Sequence, residues 1–469
     1  MEKNMQLFNS MTGRKEPVPS TGGAVRIYAC GPTVYNYFHI GNGRAFTVYD
    51  VLRRYLTYKG YDVRFVQNFT DIDDKIINRA NAEGVAFTDI SEKYIKEYFT
   101  DADGLNIMRA TVHPRATENI GQIIDIVKTL IDKGHAYVLD GDVYFRVRSF
   151  PEYGKLLGQS IDDLSSGARI SVDERKEDAL DFALWKSAKE GEPSWPSPWG
   201  NGRPGWHIEC SAMAKRYLGD TIDIHCGGSD LKFPHHENEI AQSECANGCT
   251  FSKMWFHVGF VNVNNEKMSK SKNNFFTVRV LAAAYGYEPL RYFVISAHYR
   301  TPINYEPELI EQAKASLERL YNCSENLDFL ASSAPETPLS EGENEILAKF
   351  DVFRVRFEEY MDDDLNTANA LSVLFEFAKE INITVSGEKY SKEFYLELKK
   401  RFTVLASALG LLYEKKTAGL EEEIENLIKE RQQARKERNF ARADEIRDSL
   451  KARGIILEDT KDGVKWKKI

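Results

Sequence analysis

The chain reads as an α/β protein whose second half turns helical and which closes on a small α+β tail, and three observations carry that reading. Val25 to Ala29 is a short β-rich run; Phe46, Tyr49, Leu52 and Leu56 then recur at helical spacing up to Gly60, and Asp62 to Gln67 is a second strand-like run. Beyond Tyr305 the strand signals fade into long helical periodicities such as Ala368, Leu371, Leu374, Phe375 and Ala378, the pattern of an antiparallel bundle. The tail holds two helix-length segments, Leu420 to Arg438 and Phe440 to Arg453, joined near Asn439 and stopped at Gly454. After them Ile455 to Glu458 and Val464 to Trp466 flank Lys461-Asp462-Gly463, a hairpin turn signal.

Taken in order, the first unit is β-α-β, with His39-Ile40-Gly41-Asn42 at the mouth of its helix. A helix N-terminus offers unpaired N–H groups and partial positive charge to phosphate oxygens, and Gly41 and Gly43 let a flat base approach the backbone. The tetrapeptide alone reads more readily as a Gly-rich loop with a surface histidine. Residues 119–198 differ in character: an amphipathic helix (Ile120, Ile123, Ile124, Ile126, Val127, Leu130), a β-rich Asp142 to Arg148, and the Pro-rich run Pro193-Ser194-Trp195-Pro196-Ser197-Pro198, which marks a boundary. Pro234 suits the first position of a helix, so His235 and Glu239 would project from one face at metal-ligand spacing. Lys267-Met268-Ser269-Lys270-Ser271 sits among Asn264, Asn265, Asn273 and Asn274, a polar loop whose two ammonium groups suit a leaving pyrophosphate or simply face water. Ala331 to Glu343 reads as a loop, and Met361-Asp362-Asp363-Asp364-Leu365-Asn366 as an acid-rich helix start rather than a metal site.

At 469 residues the chain suggests two to four domains, and 42% hydrophobic with 28% charged residues is ordinary for a soluble globular protein. No apolar run approaches a membrane span, and Met1 to Glu16 is too polar for a signal peptide, so a cytoplasmic protein is expected. Cys30, Cys210, Cys226, Cys245, Cys249 and Cys323 are scattered, which fits a reducing compartment better than a disulfide framework. Cys245 and Cys249 have finger-like spacing but no second pair follows; Cys226 reads as a buried small hydrophobe and Cys323 as core. The net charge of −9 is uneven: Lys429 to Ile469 hold thirteen Lys or Arg against eight Asp or Glu, a local +5 that leaves the remainder at −14. Such a tail suits a phosphate backbone or a solvated helical face.

With His39 to Asn42 and Lys267 to Ser271 in that order, the chain resembles the class I aminoacyl-tRNA synthetases, whose signatures are HIGH and KMSKS. Four further stretches narrow the resemblance to the cysteinyl-tRNA synthetases: Tyr28 to Tyr35 (YACGPTVY), Asn68 to Lys75 (NFTDIDDK), Pro204 to Ser211 (PGWHIECS) and Gly227 to Glu239 (GGSDLKFPHHENE). One departure is visible: Asn42 replaces the second His of HIGH, so the position donates a hydrogen bond but does not titrate near neutrality.

The resemblance implies a Rossmann-like parallel-sheet catalytic domain at 1–118 and 199–252 with a connective insertion at 119–198. A KMSKS-containing linking region at 253–305, a helical bundle at 306–411 and a basic anticodon-binding domain at 420–469 would follow. It implies a cysteine–tRNA ligase that forms cysteinyl-adenylate from cysteine and ATP with Mg²⁺ and transfers cysteine to the 3′ end of tRNA(Cys). His39, Asn42, Lys267 and Lys270 would be catalytic, and Gly41 and Asp230 would join them in binding ATP. Thr70, Trp206, His207 and His225 would bind the amino acid, though Thr70 also reads as a helix cap and Trp206 as core. Cys30, Cys210, His235 and Glu239 would hold one zinc ion per chain, selecting the thiolate of cysteine over the alcohol of serine. The expected protein is a monomer with no membrane partner. Two alternatives stand beside this reading: a ligase transferring cysteine to a glucosaminyl-inositol amine, as in mycothiol synthesis, and an inactive zinc-stabilised RNA-binding protein.

Overall fold

The computed structural model describes residues 5–19, 23–167, 175–263, 266–267, 275–413, 418–460 and 463–468. The chain divides into two compact units, residues 1–315 with 356–372 and 408–410, and residues 316–355 with 373–407 and 411–469.

The first unit is built on a four-stranded, all-parallel sheet. Its strands are β1 (Val25–Ala29), β2 (Val63–Gln67), β3 (Ile222–Gly228) and β4 (Ser252–Val258), in spatial order β4-β3-β1-β2. β1 and β2 match the predicted pair, and α1 (Ile40–Tyr58) crosses between them. Parallel neighbours need such a crossover; the predicted positions Phe46, Tyr49, Leu52 and Leu56 of α1 are buried, and so is every residue from Gly43 to Leu52, so the helix is enclosed on all sides rather than on one apolar face. β4 belongs to this sheet in full register with β3, from Ser252 opposite Ile222 to Val258 opposite Gly228, so the expected domain limit at 252 falls at the start of a strand rather than after it.

The insertion is a four-stranded antiparallel sheet of Ala136–Leu139, Asp142–Phe145, Phe182–Ser187 and Gly202–Pro204, preceded by the helix Ile120–Asp132. Its last strand lies beyond the expected boundary at 198, because Gly202 to Pro204 pair with Trp185 to Ser187 and close the sheet. Beside Gly202, both Lys186 O and the Trp185 indole lie within 2.4 Å of where a Cβ would sit, which excludes any larger residue.

Residues 356–372, expected within the bundle, belong to the first unit. The Tyr55 hydroxyl donates to Asp362 at 2.6 Å and Lys59 Nζ to the same carboxylate at 2.8 Å. The acid-rich segment joins the helices Asp351–Asp362 and Thr367–Gly387: Asp364 (φ 63°) and Leu365 (φ 50°) leave the helical path, and Asn366 starts the second helix by accepting from Asn369 N at 3.2 Å, so the acids precede the helix start rather than lie in its first turn. Asp364 is fully buried there and accepts from Phe8 N (2.8 Å), the Tyr299 hydroxyl (2.6 Å) and Arg300 Nε (2.9 Å).

The second unit is helical, with Glu341–Lys349 and Lys392–Ala408 closing on Phe350, Phe353, Phe377, Leu398 and Phe402. The expected loop from Ala331 is real, since one helix ends at Ser333 and the next starts at Glu341. In its tail, helices Ala418–Lys436 and Phe440–Ala452 pack through Ile424, Ile428, Ile446 and Leu450, and the hairpin Ile455–Thr460 with Gly463–Lys468 follows. Asn439 caps the second helix by accepting from Arg442 N at 3.2 Å.

Candidate active site

The site lies at the carboxyl ends of β1 and β3, where the chain leaves the sheet. At the end of β1, Gly31 packs so closely that a Cβ would lie 1.6 Å from the carbonyl oxygen of Asn68, and its N–H donates to Asn68 Oδ1 at 2.8 Å. The following segment, Pro32 to Phe38, leads into α1. His39 is the extended residue that caps α1 (φ −86°, ψ 167°), and its Nδ1 accepts from Asn42 N at 3.2 Å. The neutral ring therefore carries its proton on Nε2. A cavity of about 350 Å³ opens here, lined by Cys30, Tyr35, His39, Gly41, Asn42, Thr70, Lys75, Trp206, Cys210, Asp230 and His235 among others.

Cys30 stands just after β1, Cys210 on α2 (Trp206–Leu218) and Glu239 in the first turn of α3 (Glu237–Asn247). His235 lies in a wide helical turn, Lys232–His236, that leads into α3; its path becomes helical only after Phe233 (φ −140°, ψ 136°). Regular α-helix therefore starts at Glu237 rather than at Pro234, yet His235 Nε2 still meets Glu239 Oε1 at 3.0 Å. One donor atom from each of Cys30, Cys210, His235 and Glu239 lies within 4.8 Å of the other three, and all four residues are buried. A second set, Cys30, His225, His236 and Glu239, satisfies the same limit. Within it His225 Nε2 bonds Glu239 Oε2 (2.8 Å) and His236 Nε2 meets Cys30 Sγ (3.4 Å), while His236 Nδ1 bonds His257 Nε2 (2.8 Å). Of the residues in the two sets, Cys30, Cys210 and His235 line the cavity and His225 and His236 do not.

The electrostatics are those of a buried anionic nest. Burial works against ionisation of Glu239, but the His225 and His235 imidazoles outweigh it and hold the carboxyl at about 2. Burial likewise opposes a charged His235, and the Glu239 carboxylate with a hydrogen bond to Cys210 nonetheless raises it to about 10. The Cys210 thiol is drawn down to about 6, first by its hydrogen bond with Cys30, while burial pushes Cys30 well up. Burial also drives His207, His236 and His257 well below the usual imidazole range.

The remaining expected residues divide into those on the cavity wall and those behind it. Trp206 lines the cavity and stacks on His235 (centroids 4.3 Å apart, 29° between planes), so it is not simply core. Thr70 lines it too and donates to Glu209 Oε2 at 2.9 Å; the helix Asp74–Glu83 is capped by Asp73 instead. Asp230 reaches the wall from the short turn Ser229–Leu231. His207 and His225, expected to bind substrate, are not on the wall: His207 Nδ1 lies 2.8 Å from His235 Nδ1, and His225 stacks on Trp255 (4.6 Å, 15°), so both back the donor set. Lys267 belongs to the strand Glu266–Lys267, opposite Asn262 in the antiparallel pair with Val261–Val263. Its side chain and the whole of Lys270 lie outside the described residues.

Of the other cysteines, Cys226, Cys245 and Cys323 are buried and Cys249 is exposed; none belongs to a metal-competent cluster among the described residues. Sequence reasoning passed over Asn68, Glu209, His236 and His257. Asn68 and Glu209 lie inside stretches already singled out, and His236, three residues before Glu239, shares a helical face with it.

Three regions match family models: residues 17–315 the class I (C) tRNA synthetase catalytic domain, 356–413 the DALR domain, and 417–466 the cysteinyl-tRNA ligase anticodon binding domain. A cysteine–tRNA ligase of Clostridioides difficile (strain 630) is 57% identical over 466 residues, 99% of this chain and 100% of that protein. In fold the chain is similar to the Mycobacterium tuberculosis methionyl-tRNA synthetase in complex with methionyl-adenylate (TM-score 0.59, 17% identity, 82% of this chain and 89% of that one). It is also similar to the Agrobacterium radiobacter K84 LeuRS in a ternary complex with tRNA and LeuAMS (TM-score 0.58, 12% identity, 83% of each chain). Parallel sheet, helix-mouth histidine, matching domains along nearly the whole length and this degree of identity agree, and the chain belongs to the cysteine–tRNA ligase family of class I aminoacyl-tRNA synthetases.

Proposed function

We propose that this enzyme activates cysteine with ATP and transfers it to tRNA(Cys), with zinc-assisted selection of the thiol in the cavity beneath α1. The observation that carries the reading is the convergence of Cys30, Cys210, His235 and Glu239 on the wall that also bears His39 and Asn42, or directly behind it. Two sulfurs, one imidazole nitrogen and one carboxylate oxygen are a donor set suited to zinc. When bound, the ion supplies a soft-tolerant Lewis acid that favours a thiolate over an alcohol, a distinction that shape alone makes poorly between near-isosteres. Of the two overlapping sets, the one containing Cys210 and His235 is the metal site, because these two residues line the cavity and His225 and His236, which replace them in the other set, do not.

In the first step the cysteine carboxylate attacks the α-phosphorus of ATP, which enters with Mg²⁺, and pyrophosphate leaves. In the second, a terminal ribose hydroxyl of tRNA attacks the activated carbonyl. Both are displacements in which charge builds on oxygen, so fixed donors matter more than a nucleophilic side chain. His39, with its proton on Nε2, and the Asn42 amide face the triphosphate across the helix mouth, where Gly41 leaves room for it. Lys267 and Lys270 serve the departing pyrophosphate. Thr70 spends its proton on Glu209 and accepts from Asn68 Nδ2 at 3.5 Å, which leaves one lone pair for the substrate ammonium, and Trp206 covers the amino acid. Asp230 orients the ribose or the amino group. His207 and His225 act by holding His235 and Glu239, not by touching substrate.

The domain matched at residues 417–466 favours tRNA as the acceptor over a glucosaminyl-inositol amine. The six unpaired cysteines suit a reducing cytoplasm, and among the described residues no helix is long and apolar enough to cross a membrane. Incubation with ATP, cysteine and tRNA(Cys) should yield cysteinyl-tRNA. Amide formation with glucosaminyl-inositol without tRNA charging would overturn the assignment.

A further inference from the structure

The cavity wall carries one feature with no role in the scheme above. Lys75 is the sole Lys or Arg among the described lining residues, and its ammonium lies 5.6 Å from the ring centroid of Tyr35, which lines the same wall. The ammonium makes no ion pair among the described residues. The adjacent carboxylates are committed: Asp73 accepts from Lys75 N at 2.9 Å, and Asp74 binds Lys186 (3.0 Å) and Arg203 (2.5 Å). Tyr35 is held from behind, where Arg79, one turn beyond Lys75 on the same helix, donates to its carbonyl at 2.8 Å. An aromatic ring on a fixed stretch of backbone, beside a cation that has no carboxylate partner among the described residues, makes at a cavity wall the pairing that single-stranded nucleic acid uses, a face for a base and a charge for its phosphate.

We propose that Tyr35 and Lys75 form the subsite for the single-stranded 3′ end of the acceptor polynucleotide, the ring stacking on a terminal base and the ammonium meeting a phosphodiester. The proposal rests on the reading of the enzyme as a tRNA ligase, and it separates the two half-reactions. The test compares Lys75→Gln and Tyr35→Leu with wild type in cysteine-dependent pyrophosphate exchange and in tRNA charging, each across a salt series. For either variant, kcat/KM for tRNA should fall about tenfold relative to exchange. The salt slope of charging should become shallower by about one unit for Lys75→Gln and stay unchanged for Tyr35→Leu. Exchange and charging falling in parallel would assign the pair to ATP or cysteine instead, and charging unchanged in both variants would make it an ordinary surface contact; either result overturns the proposal. Absence of exchange in wild type would instead refute the ligase reading itself.

Discussion

Cys210 contributes a sulfur to the donor set and a wall to the cavity, so replacing it tests both at once. Cys210→Ser should lose stoichiometric zinc and at least about 100-fold in cysteine-dependent exchange, since even outer-shell changes around metals cost ~10–100-fold. Circular dichroism and thermal melting should show a retained fold. A residue off the cavity wall supplies a pH signature. His113 accepts from Ala110 N at Nε2 (3.0 Å) and bonds the Gln67 carbonyl through Nδ1 (3.0 Å), stacked on Phe69, so its neutral form is built into the fold. Burial lowers it to about 4, against 6.5 when unfolded. The unfolded chain therefore takes up a proton near pH 6.5 that the folded chain refuses until about 4. The stability His113 contributes is complete above pH 6.5 and is lost as pH falls toward 4. Urea midpoints of wild type should drop across that window, and His113→Asn should flatten the drop.

Among elements, α1 ties distant segments of the first unit together. Its Asp50 is fully buried and accepts from Arg291 Nη2 (2.6 Å), Arg54 Nε (2.7 Å) and Met108 N (2.9 Å), while Arg291, also buried, donates to the carbonyls of Leu105 and Leu409. Removing one partner strands a buried charge, so Asp50→Ala should lower unfolding free energy by about 3–5 kcal/mol in urea titrations. A loss below about 1 kcal/mol would contradict that account. α1, β1 and β2 were legible because apolar periodicity, a helix-mouth signature and Gly60 agree along one continuous stretch. Residues 356–372 were not, because periodicity shows that a helix buries a face but not what covers it; only Tyr55, Lys59 and Tyr299 reveal that. The same limit hid the positions of His207 and His225: sequence brings them near the site but does not say on which side of the ligands they stand.

Across the whole molecule, spacing alone links only His235 to Glu239. Cys30 and Cys210 come from distant segments that meet only because β1 and β3 are neighbours and α2 precedes β3; their role was carried by the family resemblance, and the geometry agrees with it. Asn42 changes the helix mouth without disturbing it, since its backbone N–H still completes the His39 cap. The basic tail belongs to the second unit, whereas the described residues lining the cavity all belong to the first, so a chain ending at residue 413 should retain exchange within a few-fold while tRNA charging falls at least about 100-fold. The measurement that tests the central claim most directly is pyrophosphate exchange with cysteine and with serine, before chelation, after it, and after zinc is restored. The account predicts strong exchange with cysteine alone, its loss with the metal and its recovery with zinc. Undiminished cysteine exchange in metal-free enzyme, or equal exchange with serine, would contradict it.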